Sequence, residues 1–293
     1  MKIRHAGALW LSLPALVLLA VPFVTLTGVT HWQHLRLAWG DGTAITTSLS
    51  LGAIALVLIF LTGLPLAWWL SQARGKIRWL VETLVMIPLL TPPLAMGILL
   101  VSAYGPYSLP GQLLSKLGWT LVNNPAAFIL AQWYGALPYF VTSARSAFIA
   151  VPQEILEAGR TLGAAPWPRF WRLALPLAAP GLASATALAW VRAMGEFGIV
   201  MIFAWFPHGM PAQLYNNLQN DGVDAVYVLL WLLLLFTLPV PLLCALASRR
   251  ALCGNTARHH QRLARCSLSR IASRTVSSSG SISSGRVKKA KAP

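Results

Sequence analysis

Seven carboxylates, six histidines and three cysteines are spread thinly over 293 residues, and almost none share a spacing that supports chemistry. No GxxxxGK[ST] phosphate loop occurs, so any ATP hydrolysis must come from another chain, and this chain needs no cofactor of its own. Cys253, His259, His260 and Cys266 could be drawn as a metal site, but their spacing is unfamiliar and the flanking sequence is Ser-rich and basic, so no metal centre is expected. Cys244 falls in the last apolar run, and no disulfide framework is implied. No base stands at a useful spacing from a nucleophile, so no catalytic residue is assigned. One pair stands out. Arg192 and Glu196 lie four residues apart in a long apolar stretch, one helical turn from each other on the same face. Ionised groups at such depth are costly in hydrocarbon, so both should face protein or a watery cavity and pair with each other or with backbone. Two readings stay open: an ion pair that fixes helix packing, or a part of a gate or pathway. An arginine could attract an anion, yet the neighbouring glutamate offsets much of that attraction, which argues against Arg192 as a direct ligand.

The elements that must position this pair are membrane helices. Hydrophobic residues make up 56% of the chain and charged residues 10%, and several stretches exceed the ~18 mostly apolar residues that read as a span. Six spans are expected, at about 8–29, 45–70, 80–104, 126–149, 176–206 and 225–247, in an all-α integral membrane fold within a lipid bilayer. The first begins with Lys2 and Arg4 like a signal peptide but lacks a small-residue cleavage site, so it should stay in place. The net charge of +16 does not point to nucleic acid: 11 of the 23 Lys and Arg residues follow Ser248, and most others sit in short loops. Basic residues instead mark one side of the membrane, at positions 2, 4, 74, 76, 78, 145, 160, 169, 172, 249 and 250. Against them the opposite loops hold Arg36, Lys116, Asp41, Asp221 and Asp224, so the positive-inside rule puts both termini in the cytoplasm.

Between the fourth and fifth spans lies a hydrophilic interruption, 151–175, in which EAGRTLGAAPWPRFWRLALP runs from 157 to 176. Pro152 suits a first helical turn, and Glu154 and Glu157 then fall near the positive end of the helix dipole. Gly163 permits a turn after roughly three turns of helix, while Pro166 and Pro168 cannot continue it. A short helix, a bend and a basic segment re-entering the membrane at 173–176 are expected.

The spacing of Glu157, Ala158 and Gly159, then Gly163, then nine residues to Leu173, with Leu175 and Pro176 after it, resembles the EAA loop of ABC importer permeases. Gly159 stands where a second Ala is common and Leu173 where Ile is common; both changes keep the residue small or aliphatic. The run RAMGEFG, Arg192 to Gly198, is similar to the RxxGEFG signature of molybdate-type permeases and to the GEYG run of sulfate permeases, with Phe197 favouring the molybdate side. The segment MIPLLTPPLAMGILL, with Pro88, Pro92, Pro93 and Gly97, looks like the double-proline helix of the same molybdate and sulfate group. The resemblance covers about the first 250 residues. It implies the type I ABC importer permease fold and a bacterial inner-membrane subunit that is not itself an enzyme. It further implies a homodimer with two ATP-binding cassette ATPase subunits and a periplasmic or extracellular oxyanion-binding protein. In that family the loop docks as a coupling helix in a groove of the ATPase, with the Glu on a basic residue. It also implies that Pro92, Pro93, Arg192, Gly195, Glu196, Phe197 and Gly198 lie at or near the translocation pathway or gate, although a purely packing role for the double proline fits its composition equally. The cargo implied is molybdate or tungstate, with sulfate or thiosulfate as the alternative. A secondary transporter, with Glu196 as its lone intramembrane carboxylate, and a membrane-anchored sensor are readings of other classes.

The remaining expectations are local. A double proline in mid-span should kink the third helix and turn it toward protein or pore, since the freed carbonyls need partners. Gly135 and Pro138 mark the fourth as a helix built to bend, and Arg145 at its cytoplasmic end reads as a snorkelling side chain. External loops are expected at 105–125, with the Asn123–Asn124–Pro125 turn signal, and at 211–222. After Arg250 the chain is basic and Ser-rich with little apolar periodicity, so 251–293 should be a disordered cytoplasmic tail on anionic headgroups. Truncation after Arg250 should therefore leave membrane insertion and uptake near normal, as measured by fractionation and transport assay; loss of uptake with normal insertion would give the tail a role.

Overall fold

In a computed structural model of the chain, residues 3–32 and 36–246 are described, and the basic tail after Arg250 lies outside them. The residues through Leu242 form one compact unit, and those from Leu243 belong to a second. Every regular element among the described residues is helical. In order these are α1 (Ile3–Val29), α2 (Asp41–Gln72), α3 (Lys76–Leu90), α4 (Pro93–Tyr104), α5 (Leu109–Lys116), α6 (Pro125–Ile149) and α7 (Gln153–Thr161). There follow α8 (Pro166–Arg169), a π turn (Phe170–Ala174), α9 (Leu175–Met194), α10 (Gly198–Phe203), α11 (Met210–Asn220), a 3-10 turn (Val223–Val226) and α12 (Tyr227–Thr237).

Four helical segments among the described residues are long and apolar enough to cross a membrane, and five if α3 and α4 count as one crossing. Over the expected fourth span runs α6, which is not among them. Its 25 residues extend about 37 Å, enough for a ~30 Å hydrocarbon core, while its composition is mixed. The physical reason is position. α6 packs most extensively against α2 and α9, and with protein on two sides it need not be apolar all round. It is one helix through Gly135 and Pro138.

The central packing is made at small residues. Gly63 of α2 lies so close to α6 that a Cβ there would stand 2.6 Å from Phe140 Cδ1. At Gly181 of α9 it would stand 2.5 Å from Ala147 Cβ. Ala55, Ala67, Ala136, Ala144, Ala178, Ala185 and Ala189 are buried on the same three helices. Small side chains let membrane helices approach closely enough for dispersion to hold them.

Two expected spans are broken. The double proline produces a complete interruption in place of a kink: Thr91 and Pro92 are extended, with ψ of 128° and 138°, and α3 and α4 diverge by 112°. Proline disfavours helical geometry in the residue before it, so Pro92 and Pro93 straighten two consecutive residues, and Pro93 then starts α4 at N1. The expected fifth span ends at Met194; residues 195–197 are irregular and α10 follows. The loops also hold more helix than expected, since α5 lies within 105–125 and α11 covers most of 211–222. Arg145 does not snorkel alone. It pairs with Glu82 of α3, which also meets Arg78 at 3.6 Å, so a charge cluster ties the otherwise unburied α3 to α6.

Replacing Gly63 by Leu should force α2 from α6 and destabilise the detergent-solubilised protein by about 1–3 kcal/mol, the usual range for overpacking. The midpoint of thermal unfolding should fall, whereas Gly28→Leu, with nothing within 4 Å of its Cβ position, should leave it unchanged.

Candidate functional site

The break between α9 and α10 forms around a buried carboxylate. Glu196 is 2% exposed, and the α10 amide of Ile199 donates to its Oε1 at 3.0 Å. The side chain thus satisfies one of the backbone donors that open the helix following it. Arg192 Nη2 reaches Glu196 Oε2 at 2.8 Å. That approach is a charge contact without hydrogen-bond alignment, for Oε2 has no aligned donor. The guanidinium also lies 5.5 Å from the centre of the Tyr139 ring on α6, a cation–π distance. The two residues therefore pair with one another, as their spacing requires.

α6 is shaped to receive this group. A Cβ at Gly135 would stand 2.8 Å from Glu196 Oε2, so this glycine makes room for the carboxylate. One turn earlier, buried Gln132 donates from Nε2 to the Ala193 carbonyl at 3.1 Å, a carbonyl near the open end of α9. Neither Gln132 nor the role of Gly135 is readable from spacing, because both act across helices. A buried glutamine in an apolar run was the available signal.

The second break meets the first. At Gly198 a Cβ would lie 2.6 Å from Pro93 Cβ, and at Gly97 one would lie 2.9 Å from Ile202 Cβ, so α4 and α10 touch at glycines. Pro93, Gly97, Glu196 and Gly198 thus form one cluster, with Phe197 stacked 5.4 Å from Tyr215 of α11 and Gly195 exposed at the break. Pro92 is exposed.

The other group of expected residues lies at the opposite end of α9, about 30 Å of helix away. Pro152 precedes α7 as its cap, and Glu154, Glu157, Ala158 and Arg160 are exposed on it. Its inner face buries Leu156 beside Phe148 and Phe170. Gly163, at φ +79°, ends α7 in a Schellman closure: its amide donates to the Arg160 carbonyl at 3.0 Å and that of Ala164 to Gly159 at 2.9 Å. The two departures from the usual pattern fit each other, since a Cβ at Gly159 would meet Leu173 Cδ1 at 2.8 Å. Helix resumes ahead of the expected 173–176, at Pro166, and Leu173 lies inside the π turn, with Pro176 in the first turn of α9.

Arg192→Met strands a fully buried carboxylate, whereas Glu196→Gln leaves a guanidinium with some access to solvent. The first variant should lose about 3 kcal/mol of stability and the second less, and the double variant should be milder than the worse single. Thermal unfolding of all three in detergent, compared as a double-mutant cycle, checks this; strictly additive losses would mean the two side chains act separately.

Residues 63–252 match the family model for the binding-protein-dependent transport system inner membrane component. The molybdenum transport system permease protein ModB of Mycobacterium tuberculosis is 33% identical over 241 residues, which cover 79% of this chain and 91% of that one. ModB of Azotobacter vinelandii is 36% identical over 163 residues, covering 55% and 72%. Among solved structures, a chain of a bacterial alginate ABC transporter in complex with an alginate-bound periplasmic protein superposes with a TM-score of 0.68 at 18% identity, covering 85% of this chain and 96% of that one. The fold, the span-breaking glycines and prolines and the match over most of the sequence agree: the chain belongs to the family of binding-protein-dependent transport system inner membrane components.

Proposed function

We propose that the chain is the membrane subunit through which an ATP-driven importer moves an oxyanion, molybdate or tungstate. It works as a homodimer with two ATPase subunits on the cytoplasmic side and an oxyanion-binding protein outside. The observation that carries this reading is the build of α7. A nine-residue helix is closed by a positive-φ glycine and anchored on its inner face by Leu156 and by the Gly159–Leu173 contact, while Glu154, Glu157 and Arg160 remain outside. Leu162 and Trp167 beside it are 87% and 69% exposed, apolar side chains of the kind that anchor a protein interface. Such a rigidly mounted, half-apolar knob suits a groove on a partner. In a chain without a phosphate loop, that partner is the ATPase.

The names of the relatives support the choice of anion, and the basic residues on one side of the spans support cytoplasmic termini. The sixth crossing in this reading is α6, shielded from lipid by α2 and α9. Closure of the ATPase pair displaces α7, and α9, continuous with it through α8 and the π turn, carries the displacement toward the break at Glu196. Glu196, Arg192, Pro93 and Gly198 would then serve as a gate whose two broken helices move against each other.

The test uses the whole complex in liposomes with ATP inside and loaded binding protein outside. Molybdate or tungstate should stimulate ATP hydrolysis and accumulate, and uptake that persists without ATP under an ion gradient would overturn the reading. Glu157→Lys reverses a charge on the exposed face of α7, and Gly163→Val puts a β-branched residue at positive φ. Both should insert and dimerise but lower recovery of the ATPase subunit in pull-down by roughly tenfold, the effect of losing about 1.4 kcal/mol. Ordinary ATPase binding and transport in both variants would remove α7 from the coupling role.

A further inference from the structure

At the end of α2 away from α7, the chain encloses a polar cavity of about 570 Å³ among otherwise apolar helices. Its floor is a buried hydrogen-bond chain. Asp41, fully buried in the first turn of α2, accepts from the Ala38 amide at 2.8 Å through Oδ2 and from Asn217 Nδ2 at 2.9 Å through Oδ1. Gln213 Nε2 in turn donates to Asn217 Oδ1 at 2.9 Å and to the Trp39 carbonyl at 3.1 Å. Gly40, at φ +92°, lets the chain enter this arrangement, because a Cβ there would stand 3.1 Å from Gln213 Nε2.

The walls are built differently. Trp39, His208, Asn216, Asn220 and Asp221 line the opening. The Asp221 carboxylate is exposed and, among the described residues, has no ion-pair or hydrogen-bond partner. Burial pushes the His208 imidazole below its ordinary pKa, which keeps it neutral at physiological pH. Among the described residues no cationic side chain lines the cavity, and Asp41 already complements the positive end of the α2 dipole. An oxyanion would therefore meet an unpaired carboxylate with nothing to balance it. A divalent ion would find one free carboxylate among neutral amides, and no cluster of three ligating residues occurs among the described residues. What remains is a monovalent cation with directional donors. Asp221 and the side-chain oxygens of Asn216 and Asn220 can accept its hydrogen bonds, and Trp39, 98% exposed at the mouth, offers a ring face to a guanidinium.

We propose that this cavity is a socket for an arginine or lysine side chain presented by the external oxyanion-binding protein. The inference rests on the orientation and partner proposed above. It assigns Asp221 and Trp39 to docking, away from the break at Glu196. The negative socket also repels the cargo anion, so cargo released by the docked protein is not held there.

The test titrates loaded binding protein against the liposome-reconstituted complex and reads the concentration giving half-maximal ATPase stimulation. Asp221→Lys should raise that concentration roughly tenfold, and Trp39→Ala roughly threefold, with the saturated rate retained. The wild-type value should rise with ionic strength, and Asp221→Lys should flatten that dependence. Reversal of one basic surface residue of the binding protein to Glu should restore the affinity of Asp221→Lys. If wild type responds to loaded binding protein but Asp221→Lys gives an unchanged half-maximal concentration, the socket is overturned while the functional reading stands. If the variant lowers only the saturated rate, the cavity acts in gating and the docking assignment is likewise overturned. A wild-type complex that no loaded binding protein stimulates would instead sink the functional reading itself.

Discussion

In a bilayer an apolar side chain gains little by leaving lipid for protein, so this bundle depends on how closely its backbones approach. The approach is made at glycines and alanines on α2, α6 and α9. Gly63 admits Phe140, Gly181 admits Ala147, and Gly52 leaves so little room that a Cβ would strike Met194. Everything else hangs on α6. Its Gly135 receives the Glu196 carboxylate, its Tyr139 faces Arg192, its Gln132 satisfies the end of α9, and its Arg145 holds α3 through Glu82. A central helix with so many polar duties cannot also be uniformly apolar, which is why its hydropathy is the weakest guide to its place.

The two interrupted helices illustrate a second constraint. Irregular backbone at membrane depth survives only where protein or water satisfies it. At 195–197 a side chain of the break itself does so, with Glu196 accepting the Ile199 amide and Arg192 balancing its charge. At the other break the Thr91 amide donates to the Ile87 carbonyl at 3.0 Å, and the prolines at 92 and 93 have no donor to satisfy. The interruptions then lean on each other at Gly198 against Pro93 and at Gly97 against Ile202, so an intrinsically weak region is held by close contacts at two glycines.

Local chemistry made α7 readable from sequence: a proline before it, acids at its start and a glycine after it are all signals within one or two turns. The i, i+4 spacing of Arg192 and Glu196 was readable for the same reason. What escaped were relations across the fold. Glu82 and Arg145 are 63 residues apart, and nothing in either segment announces the other. Gly135 read as a bend because a glycine in a helix has two uses, flexibility and close approach, and only the neighbour decides. The run at 211–222 read as loop from its placement between apolar segments, yet Asn217 is held by Asp41, 176 positions earlier. The severity of the break at Pro92 was likewise invisible, since a double proline fixes local dihedrals without saying whether neighbours restore the helix axis.

Gly159 and Leu173 share a single small volume under α7. A methyl added at 159 would meet a leucine tip 2.8 Å from its position, and a shorter branch at 173 would leave a void beneath the glycine. The tip is the free end of a flexible side chain, so an alanine at 159 is accommodated by turning Leu173 aside. Any change of size at one of the two positions is therefore read first in the rotamer of the other, before the backbone of α7 has to move.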